Sequence, residues 1–220
     1  MIYLLIDTSN QPLSVAVMQN NVVLGEINTN VKQNHSTQLM PAIQQLFHES
    51  GIAKEEINAI IVAQGPGSYT GLRIGVTVAK TLAYALNAEL YGVSSLKALA
   101  ATVQDDERLL VPIFDARREA VYSGVYRYNG NQLLQVEEDQ YLPIQELLNL
   151  LHRMGKPYVF VGIDTEKVKD LLDSDCIPNI PKAKYMKHLV ETTEDIHQFK
   201  PNYIKLSEAE RNWLNQQKKN

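Results

Sequence analysis

Two aspartates, Asp7 and Asp115, each end a short β-rich run and each open a hairpin pattern. "IYLLID" leads to a turn at Asn20-Asn21 between two runs of Val and Leu. "LLVPIFD" leads to "AVYSGVYRYNGNQLLQVEE", where Asn129-Gly130 predicts a type I′ turn. An apolar helical pattern and a second strand follow in both halves. In the first these are Leu39, Ile43, Leu46 and Phe47, then "INAIIVAQ"; in the second, "PIQELLNLLHRMG", then "PYVFVGID". The order strand–hairpin–helix–strand–helix thus recurs about one hundred residues on, which predicts an internal duplication of two mixed α/β units. The polar stretch "VQDDER" places the boundary, giving units 1–103 and 104–200. A tail helix over 201–217 is expected to dock on a domain through Trp213. Pro41 suggests that the first regular helix begins near it.

Composition excludes several classes. Of 220 residues, 45% are apolar and 21% charged, as in ordinary globular chains, and the net charge of −4 supplies no basic field for nucleic acid or membrane. The lone Cys176 permits no disulfide within the chain and no cysteine-based zinc site. "MIYLLIDTS" lacks a basic leader region, and no apolar run spans a membrane. A cytoplasmic location is expected.

The stretch "AQGPGSYTGLRIG" at 63–75 is built like a phosphate loop, yet its spacing fits neither the Walker pattern nor the dinucleotide fingerprint. Pro66-Gly67 suits a type II turn, and Ser68 or Thr70 can cap the helix that follows. Gly71 and Gly75 bare one side of that helix, and Ala79 and Ala83 continue the row. The glycines read mainly as room for a neighbouring helix from another subunit. Arg73 opposes the helix dipole in the first turns and calls for an anionic partner, in this chain or another.

Catalytic signals are sparse. His35 is followed at i+4 by Leu39 and His48 by Ile52, so no two-His metal site is expected. Ser68 sits on a strand–helix turn but has no identifiable His-Asp pair, so no catalytic residue is assigned. The turns "DTSNQP" and "DARREA" contain no glycine. Asp7 and Asp115 either hold a magnesium ion or cap their turns through Asx bonding; the missing glycines favour capping.

Taken in order along the chain, "IDTSNQPLSVAV", "NHSTQLMPAI", "GPGSYTGLRIG", "GVSSL", "DARREAVY" and "PNYIKLSEAE" resemble the bacterial TsaB (YeaZ) family of tRNA threonylcarbamoyladenosine biosynthesis proteins. The resemblance implies an α/β actin-like ATPase (ASKHA) fold: two duplicated RNase H-like subdomains with mixed sheets flanked by helices, the tail helix returning to the first. It implies a non-catalytic paralogue of the transferase TsaD, both among the glycoprotease-like M22 proteins. TsaD's two-His metal motif falls where this chain keeps His35 and has Leu39 in place of the second His. Implied partners are a TsaD-type subunit, a TsaE-type ATPase and a second copy of this chain through the same helices. Contact with tRNA is indirect, and no cofactor is implied, a nucleotide at the subunit interface being left open. The implied interface lies on helices of about 36–50 and 70–87. Candidate contact residues are Leu39, Ile43 and Leu46 on one, and Gly71, Arg73, Gly75, Thr77, Ala79 and Lys80 on the other. Two alternatives remain: an actin-like phosphotransferase or ATPase using the turns at Asp7 and Asp115, and an M22-type peptidase using Ser68.

Overall fold

The computed structural model describes residues 1–30 and 34–205. Strands β1 (Ile2–Asp7), β2 (Leu13–Gln19) and β3 (Val22–Thr29) precede helix α1 (His35–Ser50). Strand β4 (Ala59–Gly65), helix α2 (Tyr69–Leu86), strand β5 (Glu89–Ser94) and the short helix α3 (Ser95–Ala100) complete the first half. The second half has β6 (Leu109–Asp115), β7 (Ala120–Asn129), β8 (Gln132–Pro143), α4 (Ile144–Met154), β9 (Tyr158–Val161) and β10 (Cys176–Ile177). The first sheet runs β3-β2-β1-β4-β5 and the second β8-β7-β6-β9-β10, the same order twice. In both, the first strand pairs antiparallel with its hairpin and parallel with the strand after the helix. The duplication is therefore present in the topology, and the fold is the actin-like α/β architecture.

The halves are not equal copies. Where α2 follows β4, only two short 3-10 segments, Ile163–Lys167 and Lys169–Leu171, follow β9. The expected type I′ turn between β7 and β8 is also absent: Gly130 has φ 57° but Asn131 does not share a positive φ, and a type I′ turn needs both. Helix α1 begins six residues before Pro41, at His35, where the Asn34 side chain accepts from Ser36 N at 3.1 Å. That cap outweighs the proline, whose missing N–H falls on the exposed side of the helix.

Alternation along the strands feeds two cores at once. Leu4, Ile6, Ile60 and Val62 point into the layer under α1 and α2. Leu5, Ile61 and Ala63 point the other way, into a cluster shared with α3 and with Leu110, Phe114 and Val159 of the second sheet. A buried polar link ties the halves as well. At the end of β5, Ser94 Oγ donates to Asp139 Oδ2 at 2.5 Å, and the Tyr126 hydroxyl donates to the other carboxylate oxygen. Burial pushes the Asp139 carboxyl up, and the two hydroxyls partly offset this.

The chain is back on the first half by Ala183, upstream of the expected return at 201. Ala183 N donates to Ser14 Oγ at 2.7 Å, and Lys184 pairs with Glu26 at 3.0 Å. Further on, Glu194 N bonds Leu90 O and Asn202 N bonds Gln64 O. Residues 201–205 form neither helix nor strand, and the remainder of the expected tail helix, with Trp213, lies outside the described residues. Tyr126→Phe removes one donor from a buried carboxylate that joins the halves. It is expected to lower stability by about 1–3 kcal/mol in equilibrium urea unfolding. An unchanged midpoint would mean that the link contributes nothing.

Candidate functional site

The loop 65–68 and the first turns of α2 pack on the chain's own β1–β2 turn. Ser68 caps α2, its side chain accepting from Gly71 N at 3.3 Å. Its own N–H donates to Ser9 O at 2.7 Å, and Thr8 Oγ1 donates to Gly71 O at 2.7 Å. A Cβ on Gly67 would stand 2.2 Å from Ser9 O, one on Gly71 2.1 Å from Thr8 O, and one on Gly75 2.3 Å from Thr8 Oγ1. This corrects the expectation of room for another subunit's helix: the bare face of α2 is filled by Thr8 and Ser9. The type II turn is corrected too. Gly65-Pro66 is a cis peptide and Gly67 has φ 157°, far from the +80° of a type II turn.

The two aspartate turns cap themselves. Asp7 Oδ1 accepts from Ser9 N at 2.9 Å and Ser9 Oγ at 2.6 Å. Its Oδ2 is buried without a hydrogen-bond partner among the described residues. Burial raises the Asp7 carboxyl above its ordinary range, against the pull of the Ser9 bonds and of His35. Asp115 Oδ1 accepts from Arg117 N at 2.8 Å. Arg117, Arg118 and Glu119 all carry positive φ, between 56° and 65°, without a glycine.

Asp164, which sequence reasoning missed, joins these turns. It is 2% exposed and lies just after β9. Its Oδ2 accepts from Asn10 Nδ2 at 2.9 Å and from Asp115 N at 3.1 Å, and Lys167 Nζ meets Oδ1 at 2.6 Å. A carboxylate of the chain itself thus takes one donor from each duplicated turn. The signal for it was the "GID" that ends the third aspartate-terminated strand pattern. No group of three or more His, Cys, Asp or Glu placed to hold a metal occurs among the described residues. His35 Nε2 lies 3.1 Å from Gln11 O, and Leu39 at i+4 is inside the core.

The residues expected at a partner interface divide sharply. Leu39, Ile43, Leu46 and Ala79 are buried in the first half's own core, and Gly71 and Gly75 lie beneath Thr8. These six are corrected to structural roles: the four apolar side chains face the core and the two glycines face the β1–β2 turn. Lys80 donates to Phe199 O at 2.6 Å and His197 O at 3.1 Å, so it holds the returning segment. Only Arg73 and Thr77 are exposed. Within this chain Arg73 contacts an aromatic ring: its guanidinium carbon lies 5.5 Å from the Tyr69 ring centroid, and Nη1 donates to the Tyr69 hydroxyl at 3.4 Å. The surface of α1 and α2 missed from sequence adds Met40, Tyr69 and Tyr84, which are 46%, 52% and 70% exposed.

Comparison with known proteins places this geometry. The family model described as TsaD, tRNA N6-adenosine threonylcarbamoyltransferase, matches residues 22–219. The tRNA threonylcarbamoyladenosine biosynthesis protein TsaB of Bacillus subtilis is 39% identical, covering 99% of this chain and 100% of that protein. Its Escherichia coli namesake is 29% identical over 76% of this chain and 74% of its own length. Among solved structures, YeaZ from Pseudomonas aeruginosa superposes with a TM-score of 0.78 at 22% identity, over 92% of this chain and 99% of that one.

Two substitutions test the packing of the turn. In an open helix Gly→Ala gains up to ~1 kcal/mol. Gly71→Ala is instead expected to cost roughly 1–3 kcal/mol by thermal unfolding, because its Cβ meets backbone. A stabilised variant would refute the close approach. Asp7 has a raised folded-state pKa, so its contribution is fully present below the unfolded value and is lost as pH rises through the folded one. Asp7→Asn is therefore expected to raise the melting temperature at pH 7–8, with the gain shrinking toward pH 4. A uniform loss at all pH values would refute this reading.

Proposed function

The chain belongs to the TsaB (YeaZ) family of tRNA threonylcarbamoyladenosine biosynthesis proteins, and we propose that it acts there as a non-catalytic scaffold subunit. In this reading it pairs with a TsaD-type transferase and lets a TsaE-type ATPase join the assembly in the cytoplasm. The observation that carries the reading is Asp164, whose buried carboxylate accepts one donor from each of the two turns between the sheets. In an actin-like enzyme such turns serve nucleotide phosphates. Leu39 supports the same reading, since a buried Leu at i+4 from His35 gives packing and no metal ligand.

A second reading, an actin-like ATPase, would need those turns free; phosphate release from ATP and magnesium by the isolated chain is expected to stay at the buffer rate. The peptidase reading has less support, because Ser68 Oγ serves as the cap of α2.

The partner surface is the outer face of α1 and α2, where Met40, Tyr69, Arg73, Thr77 and Tyr84 are exposed. Aromatic and Arg side chains are enriched in such interfaces. Reconstitution with TsaD, TsaE, tRNA and the threonylcarbamoyl donor tests the role. Modification is expected to require this chain, and equal rates without it would refute the proposal. Thr77→Trp and Arg73→Glu are the probes of the face, expected to weaken co-elution with TsaD at least tenfold. Ala79→Trp is unsuitable, since Ala79 is wholly buried and the variant would report on folding.

A further inference from the structure

An open cavity of about 390 Å³ lies between the halves; residues of the Asp115 turn line it, but none of 7–11 and not Asp164. Four tyrosines line it in two pairs. Tyr69 at the start of α2 and Tyr203 of the returning segment meet at 4.8 Å between ring centroids. Tyr122 of β7 and Tyr141 of β8 meet at 5.7 Å. Lys205 Nζ sits 4.3 Å from the Tyr141 ring centroid.

The charges of the cavity are one-sided. Arg117 and Arg118 project from the β6–β7 turn into it, and with Lys205 they make three cations. None of the described residues that line it is acidic, although the chain's net charge is −4. Neither arginine side chain has a carboxylate partner among the described residues. Both are exposed and stand on a backbone with φ of 65° and 57°, a conformation that non-glycine residues adopt only at a cost. A cavity of this size accepts one planar group with its charged substituent.

We infer that this cavity holds an exposed nucleotide of a single-stranded RNA segment, the base stacked on a tyrosine pair and the phosphate at Arg117 and Arg118. Tyrosine faces with flanking cations form the platform on which single strands stack irrespective of sequence. The inference rests on the reading that the chain works in tRNA modification, and it adds direct RNA contact to a subunit expected from sequence to meet tRNA only through its partners. An acidic protein segment would satisfy the cations but make no specific use of the four rings that line the cavity.

The test uses the full-length chain alone, so it does not depend on assembly with TsaD. Fluorescence anisotropy is followed with a labelled single-stranded RNA hexamer and with unlabelled tRNA as competitor. Binding is expected, weakening steeply as salt rises. The double variant Arg117→Glu, Arg118→Glu is expected to weaken it at least tenfold, and Tyr203→Ala by about 5- to 100-fold. Thermal unfolding checks that both variants fold, and Lys156→Glu, exposed and not among the cavity's lining residues, is expected to bind as the parent does. No binding by the parent chain, equal binding by the folded double variant, or displacement by a poly-glutamate peptide as readily as by tRNA would each overturn the inference. The scaffold role stands or falls separately, on the dependence of modification on this chain.

Discussion

The approach of the β1–β2 turn to the first turns of α2 underlies the rest of the structure. Thr8 and Ser9 come so close to Gly67, Gly71 and Gly75 that a single added methyl would sit within 2.4 Å of an oxygen at any of the three. Two hydrogen bonds lock the contact, Thr8 Oγ1 to Gly71 O and Ser68 N to Ser9 O. The turn can carry no ligand on that side, because protein already occupies the space.

With the turn fixed, Asn10 reaches across to Asp164, and Asp164 in turn receives Asp115 N. The two halves are thereby joined at the place where each copy of the duplicated unit ends its first strand. A second buried link, from Ser94 and Tyr126 to Asp139, joins them farther along. Two carboxylates of the chain itself, Asp164 and Asp139, thus take part in holding the halves together.

Much of the fold was legible because the signals were local. Alternating apolar residues in "IYLLID" and "LLVPIFD", turn residues at Asn20 and Gly130, and helical spacing at Leu39, Ile43 and Leu46 each act over a few residues. Where a local signal competed with another, reading failed. Pro41 argued for a late start to α1, but Asn34 capped it earlier. The site was less legible. Small residues at 71, 75 and 79 say that something approaches closely, without saying what, and the visitor proved to be a turn more than sixty residues upstream in sequence. Arg73 called for an anion by the dipole argument, and among the described residues it meets the Tyr69 ring one turn before it.

By itself the sequence determined the duplicated α/β plan, the close approach to one side of α2 and the lack of a second histidine after His35. Each follows from side-chain size and from periods of two and 3.6 residues. Only the tertiary structure decided that Thr8 and Ser9 fill the bare helix face, that Asp164 closes the two turns, and that four distant tyrosines meet around one cavity. These partners lie tens to more than one hundred and fifty residues apart. Nothing in a local pattern encodes which of many compatible surfaces will meet; that is settled by packing the whole chain.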